Sequence, residues 1–207
     1  MNKKKHPTVM VSSSVYGQEE LLDRIYALLN RFGFEVWMSY KGTVPTNSEE
    51  NSLDSCLRAV NNCDFFLGLI TNHYGTSFHE GLSITHLEIR EAIRLKKPRW
   101  FLVHDHVVFA RKLLQSLGFN DSSARKTLTL NKKPFFSDLK IIDMYEEASE
   151  QNQFGENVYV KWVQPYEQDE DAIRFATAQF SRFQDLESIL ESQIKNIRKA
   201  TKHKETK

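Results

Sequence analysis

The stretch that most constrains the fold is "FFLGLI" (65–70), six residues without a polar side chain. A strand with one wet face alternates polar and apolar residues, so a strand of this kind must be covered on both faces. "TVMVSS" (8–13), "FEVWM" (34–38) and "RWFLVH" (99–104) read the same way, the first ending in small polar residues. Between them lie amphipathic stretches. "QEELLDRIYALLNRFG" (18–33) places Leu21, Leu22, Ile25, Leu28 and Leu29 on one helical face and stops at Gly33. Further helices are expected around 52–60, from the Ser-Ile-Thr after Leu82 to about 95, and over 109–119, while "KGTVPTNSEEN" (41–51) is a loop. Covered strands alternating with helices mean a parallel, doubly wound α/β sheet joined by right-handed crossovers.

Beyond residue 118 the alternation weakens. Residues 119–168 read as an irregular extension with one edge strand, "VYVKWV" (158–163). Residues 169–200 read as a long amphipathic helix. Its stripe from Ile173 through Phe180, Leu186 and Ile194 serves either packing on the domain or self-association. A basic tail, 201–207, follows. The net charge of +1 gives no bias toward nucleic acid or a membrane surface. The absence of an apolar run of about 18 residues and of a charged-then-apolar leader leads to a cytoplasmic expectation. The two cysteines read as buried, reduced thiols. "HDH" (104–106) has no second ligand cluster beside it, so no metal is expected.

Parallel sheets bind ligands beyond the carboxyl ends of their strands, in loops that here begin at Ser12, Ser39, Thr71 and Asp105. One carboxylate near them is out of place. Glu88 falls about 20° from Leu95 and about 40° from Ile84 and Ala92 on a helical projection, inside the apolar arc. Two readings stand. Thr85-His-Leu-Glu88 has the spacing of a capping box, with the Glu side chain returning to the Thr amide. Alternatively, Glu88 faces a cleft and does chemistry. Glu91 shares the arc one turn deeper. Ser12, Ser13 and Ser14 can bond ribose or phosphate oxygens or simply end a strand. Tyr16, Tyr40 and Tyr74 can stack on a base or cover the core, while Gly75 makes a turn and His79 and His86 flank the helix start. The first turn lacks Gly-x-Gly-x-x-Gly, and neither a Walker loop nor a Gly-x-Ser-x-Gly elbow occurs.

"VMVSSSVYGQEELLDRI", "SLDSCLRAVNNCDFFLGLITNHYG" and "LSITHLEIREAIRLKKP" together resemble the TIR-like and nucleoside 2-deoxyribosyltransferase-like superfamily, closest to a bacterial TIR-like family opening on a strand that ends Ser-Ser-Thr. The resemblance implies a flavodoxin-like domain over 1–118 with a C-terminal helical extension. It also implies a cleft for an N-glycosidic bond, with Glu88 as catalytic carboxylate reached through Ser83 and Thr85. It implies cleavage or cyclisation of NAD as substrate with no cofactor, a homo-oligomer, and a role in antiphage defence or nucleotide signalling to an effector protein. Ser14 stands where the family has Thr, and Ser39 where an acidic residue is expected. The alternatives are a nucleoside or nucleotide N-glycosidase or deoxyribosyltransferase, and a non-catalytic interaction or nucleotide-sensing module. A carboxylate near a helix N-terminus is expected to stay ionised.

Overall fold

Burial on both faces is what the central strand shows: every residue of β3 (Phe65–Ile70) is buried. The computed structural model describes residues 6–47, 49–78, 81–131, 135–150 and 161–182. Five strands, β1 (Thr8–Ser12), β2 (Glu35–Trp37), β3, β4 (Arg99–His104) and β5 (Lys161–Tyr166), form one sheet in the order β2-β1-β3-β4-β5. All neighbours pair in parallel. This is the doubly wound α/β fold expected from the sequence.

Side-chain alternation splits β3 between two cores. Phe65, Leu67 and Leu69 meet Leu21, Leu22, Ile25 and Leu29 of α1 (Glu19–Arg31), together with Ala172 and Phe180 of α7 (Asp169–Phe180). Phe66 and Ile70 point to the opposite face. There they join Ala59 and Val60 of α2 (Ser52–Asn62), Ile89 and Ala92 of α3 (Ile84–Arg94), and Val107 of α4 (Asp105–Ser116). Gly68 has a steric reason: a Cβ there would lie 2.8 Å from the Phe101 ring. Each large apolar side chain buried in this way stabilises the fold by roughly 1.5–3 kcal/mol.

The segment 119–168, which shows no clear period in sequence, holds α5 (Ser122–Arg125), α6 (Lys140–Glu150) and β5. Ile141, Ile142, Met144 and Ala148 of α6 belong to the second core, so this part of the chain completes the layer over β3 and β4. β5 lies three residues later than the strand expected at 158–163, and residues 151–160 are outside the described residues. Its Pro165, lacking an N–H, is tolerated because β5 lies at the sheet's edge among the described strands. α4 starts four residues earlier than expected, because the His104 ring accepts the His106 amide and caps the helix directly at the strand end. The helix expected over 169–200 is described as far as Phe180; residues 183–200 and the tail lie outside the described residues. Among the described residues, no helix is long and apolar enough to cross a membrane.

Candidate active site

With β1 between β2 and β3, the chain winds away in opposite directions from the carboxyl ends of β1 and β3, which leaves a crevice there. The Ser14 hydroxyl donates to the His73 carbonyl at 2.7 Å and lies 3.2 Å from the Thr71 hydroxyl, tying the exits of the two strands together. The Ser13 hydroxyl donates to the Ser14 carbonyl at 2.8 Å. Thr8, Met10 and Ser12 share the β1 face that α3 covers, so the Ser12 hydroxyl meets Glu88 and donates to its Oε2.

The capping-box reading does not hold. The cap of α3 is Ser83, whose extended backbone lets its hydroxyl accept the His86 amide at 3.2 Å; Thr85 is already helical. Glu88 is therefore in the second turn, beyond the reach of a capping interaction and of most of the helix-end field. It is 3% exposed. Burial raises its carboxyl from 4.5 to about 7, opposed by hydrogen bonds from the Ser12 hydroxyl and the Cys56 thiol. The expected firmly ionised carboxylate is thus replaced by one that titrates near neutrality. Glu147 of α6 shows what a compensated carboxylate looks like. Burial pushes it up as well, but hydrogen bonds from Arg90 and His86 outweigh that and hold it at about 2.

Glu88 lies on the floor of a cavity of about 550 Å³. Cys56 adjoins it. Ser13, Ser14, Tyr16, His73, Gly75, Thr76, Ser83, Ile84 and Thr85 line it too, with Ser39, Ser52 and Ser137. Among the described residues lining it, Glu88 is the one carboxylate and His73 the one imidazole, and neither Lys nor Arg is present. Tyr16 is 74% exposed and packs edge-on against His73 at 4.7 Å. Gly75 holds φ +82, a left-handed turn in which a side chain would be strained.

The structure brings Ser13, Ser14, Tyr16, Gly75, Ser83 and Thr85 to one cavity with Glu88. Ser12 stands behind the carboxylate rather than on the cavity wall. Tyr74 is 1% exposed, and its hydroxyl lies 2.7 Å from His86 Nδ1, which makes it a core residue. Tyr40 is on the outside, beneath the Lys41 ammonium at 5.0 Å. Glu91 is at the surface with Arg94 and Asn61, and His79 lies outside the described residues. Sequence reasoning did not assign Cys56, Ser52, His73, Thr76 or Ser137 to the site. For Cys56 a signal existed: its spacing from Leu53 and Val60 puts it on the buried face of α2. For Ser137 there was none, because the loop that carries it is held by the distant Tyr74 amide.

His104, Asp105 and His106 place three potential metal-ligating atoms within 4.8 Å of one another. His104 Nδ1 already accepts the His106 amide, and the positive end of α4 opposes a cation there.

Residues 8–195 match a protein-family profile described as Domain of unknown function (DUF4062). Among solved structures the chain is similar to a CMP N-glycosidase, BcmB, of Clostridium botulinum. That match has 11% identity and a TM-score of 0.42, and covers 83% of this chain and 98% of the other. No curated protein matches the chain.

Proposed function

The chain belongs to the DUF4062 family, and from the geometry of its cavity we propose that it cleaves the N-glycosidic bond of a nucleotide, with NAD as substrate. The observation that carries this reading is Glu88: a buried carboxylate lining a cavity, bonded by the Ser12 hydroxyl, with no cation among the described lining residues. A carboxylate so placed meets the developing positive charge at the sugar's C1′, either as an ion pair or by bonding to that carbon.

NAD is supported by the make-up of the lining around Glu88. Among the described lining residues no second carboxylate is present to protonate a leaving base. Nicotinamide is bound to ribose as a cation. When the C1′–N bond breaks, the electron pair returns to the ring nitrogen and the base departs neutral without an acid. Water then adds to C1′ and releases its proton to solvent, or a nitrogen of the adenine adds instead and cyclises the product. The first turns of α2 and α3 open onto the cavity at Ser52, Ile84 and Thr85, and their free amides suit a phosphate. The resemblance to TIR-like proteins adds a setting to this reading: bacterial antiphage defence, by NAD depletion or a signalling product read by an effector protein, in a self-associating enzyme.

A second reading is favoured by His73. Its imidazole lines the same cavity and supplies a proton for a neutral leaving base, which would make the substrate a nucleotide such as a cytidine or adenosine monophosphate. Incubating the full chain with NAD, nucleoside monophosphates and nucleosides, and separating free bases by chromatography, distinguishes these. Nicotinamide release is the expected result. Release of cytosine or adenine alone selects the second reading, and no free base from any substrate excludes both.

A further inference from the structure

A second cavity, of about 590 Å³, is lined by the opposite face of α3: His86 and Arg90 border it, whereas Ile84, Thr85 and Glu88 border the first. It is organised by α6. Asp143, Glu146 and Glu147 share one face of that helix, and each holds a guanidinium from a different element. Glu147 accepts Arg90 of α3 at 2.5 and 2.7 Å, Glu146 accepts Arg111 of α4 at 3.1 Å, and Asp143 accepts Arg125 of α5 at 2.6 Å. Arg125 is 3% exposed and also donates to Glu146 at 2.6 Å. A cation buried so deeply requires pairing of this kind. We propose that this cavity binds a phosphate monoester carrying an apolar or aromatic group. The site is independent of the reaction at Glu88.

The hydrogen-bonding capacity left in the cavity selects the charge of its ligand. Every oxygen of the three α6 carboxylates is engaged: Asp143 Oδ2 accepts the Ser122 hydroxyl, and the other five accept guanidinium N–H groups. The fourth carboxylate of the lining, Asp121, caps α5 by accepting the Ala124 amide at 2.8 Å. Donors remain. Among the described residues, Arg90 Nη1 and both Nη groups of Arg111 make no hydrogen bond to protein, and the Lys126 ammonium has neither a hydrogen bond nor an ion pair. Guanidinium and ammonium groups from three elements match the three terminal oxygens of a phosphate monoester better than the two of a carboxylate. The organic part follows from what adjoins. Arg125, Lys126 and Asp143 also line a further cavity of about 370 Å³, lined as well by Leu128, Leu130 and Leu139. Polar and apolar spaces thus share a border, at the scale of a small organic ligand.

The test is calorimetric titration of the full chain with inorganic phosphate and with phenyl phosphate. Neither probe holds an N-glycosidic bond, so neither can be consumed in the first cavity. The variants are Lys126→Glu and Arg111→Gln. Lys126 is exposed and has no protein partner among the described residues, so reversing its charge should leave the fold intact. Arg111→Gln leaves Glu146 paired with Arg125. Wild type should bind one phenyl phosphate, more tightly than inorganic phosphate, and each variant should weaken that binding about ten-fold or more. Phenyl phosphate binding that is unchanged in Lys126→Glu puts the anion elsewhere and overturns the proposal. A wild type that binds neither probe also overturns it, and leaves the ion pairs as a clasp between helices. Phenyl phosphate held no more tightly than inorganic phosphate overturns the assignment of an apolar group. Should Arg111→Gln fail to fold, Lys126→Glu decides alone.

Discussion

β1 carries a hydroxyl at each end, and each hydroxyl meets a carboxylate; the two pairs have opposite outcomes. At the strand's start, Asp64 accepts the Thr8 amide at 2.8 Å and the Thr8 hydroxyl at 3.0 Å, in a partly exposed setting. That carboxylate is a clamp between the first turns of β1 and β3. At the strand's end, Glu88 accepts the Ser12 hydroxyl, has no backbone amide, is 3% exposed and lines a cavity. The same functional groups therefore produce a fastener where amide and solvent satisfy the charge, and a carboxyl raised to about 7 where they do not. What separates the two is solvation.

The largest expected effect separates the two carboxylates by activity. Glu88→Gln should lower base release by about three orders of magnitude or more while leaving the melting temperature unchanged or higher. Asp64→Ala should leave turnover unchanged. If Asp64→Ala abolished activity with the fold intact, the contrast would be wrong.

Next in size is the pH dependence of stability. Glu88 titrates higher folded than unfolded, so its contribution is fully present below about 4.5 and lost as pH rises to about 7. Wild type should therefore lose up to about 3 kcal/mol relative to Glu88→Gln across that window, measured by urea unfolding. Glu147 works the other way. Held at about 2, it contributes stability above 4.5 that disappears as pH falls. Glu147→Gln should remove that contribution, lowering stability at neutral pH and flattening the acid side of the curve, while the Glu88-linked fall between about 4.5 and 7 keeps its size.

Two smaller effects sharpen the picture. Asp64→Ala strands the buried Thr8 amide and should cost about 1–3 kcal/mol in unfolding measurements. Ser12→Ala should move the rising limb of the rate profile up by about one pH unit, with a matching loss of about 1.4 kcal/mol of stability above that limb.

How much of this was legible in the sequence differs between sheet and site. The covered strands were readable because "FFLGLI" admits no wet face, and Glu88 stood out because a carboxylate in an apolar arc must be compensated. Its partner was half-readable. Alternation puts Thr8, Met10 and Ser12 on one face, but which helix covers that face depends on the winding of the sheet. The capping box misled because Ser83 and Thr85 both suit a cap; the structure chooses Ser83, and no local propensity separates the two. α6 was missed because polar stretches flank it and its apolar residues gain meaning only against β3 and β4. Tyr74 and Tyr40 could not be told from Tyr16, since a tyrosine's sequence position does not say whether its hydroxyl finds a buried histidine or open space.

The most direct test of the central claim is nicotinamide release by the full chain as a function of pH, beside Glu88→Gln. A rate that climbs through a single ionisation near pH 7 in the wild type, and stays at background in the variant, is the predicted result. Equal rates in the two proteins, or a wild-type rate indifferent to pH between about 5.5 and 8.5, would contradict it.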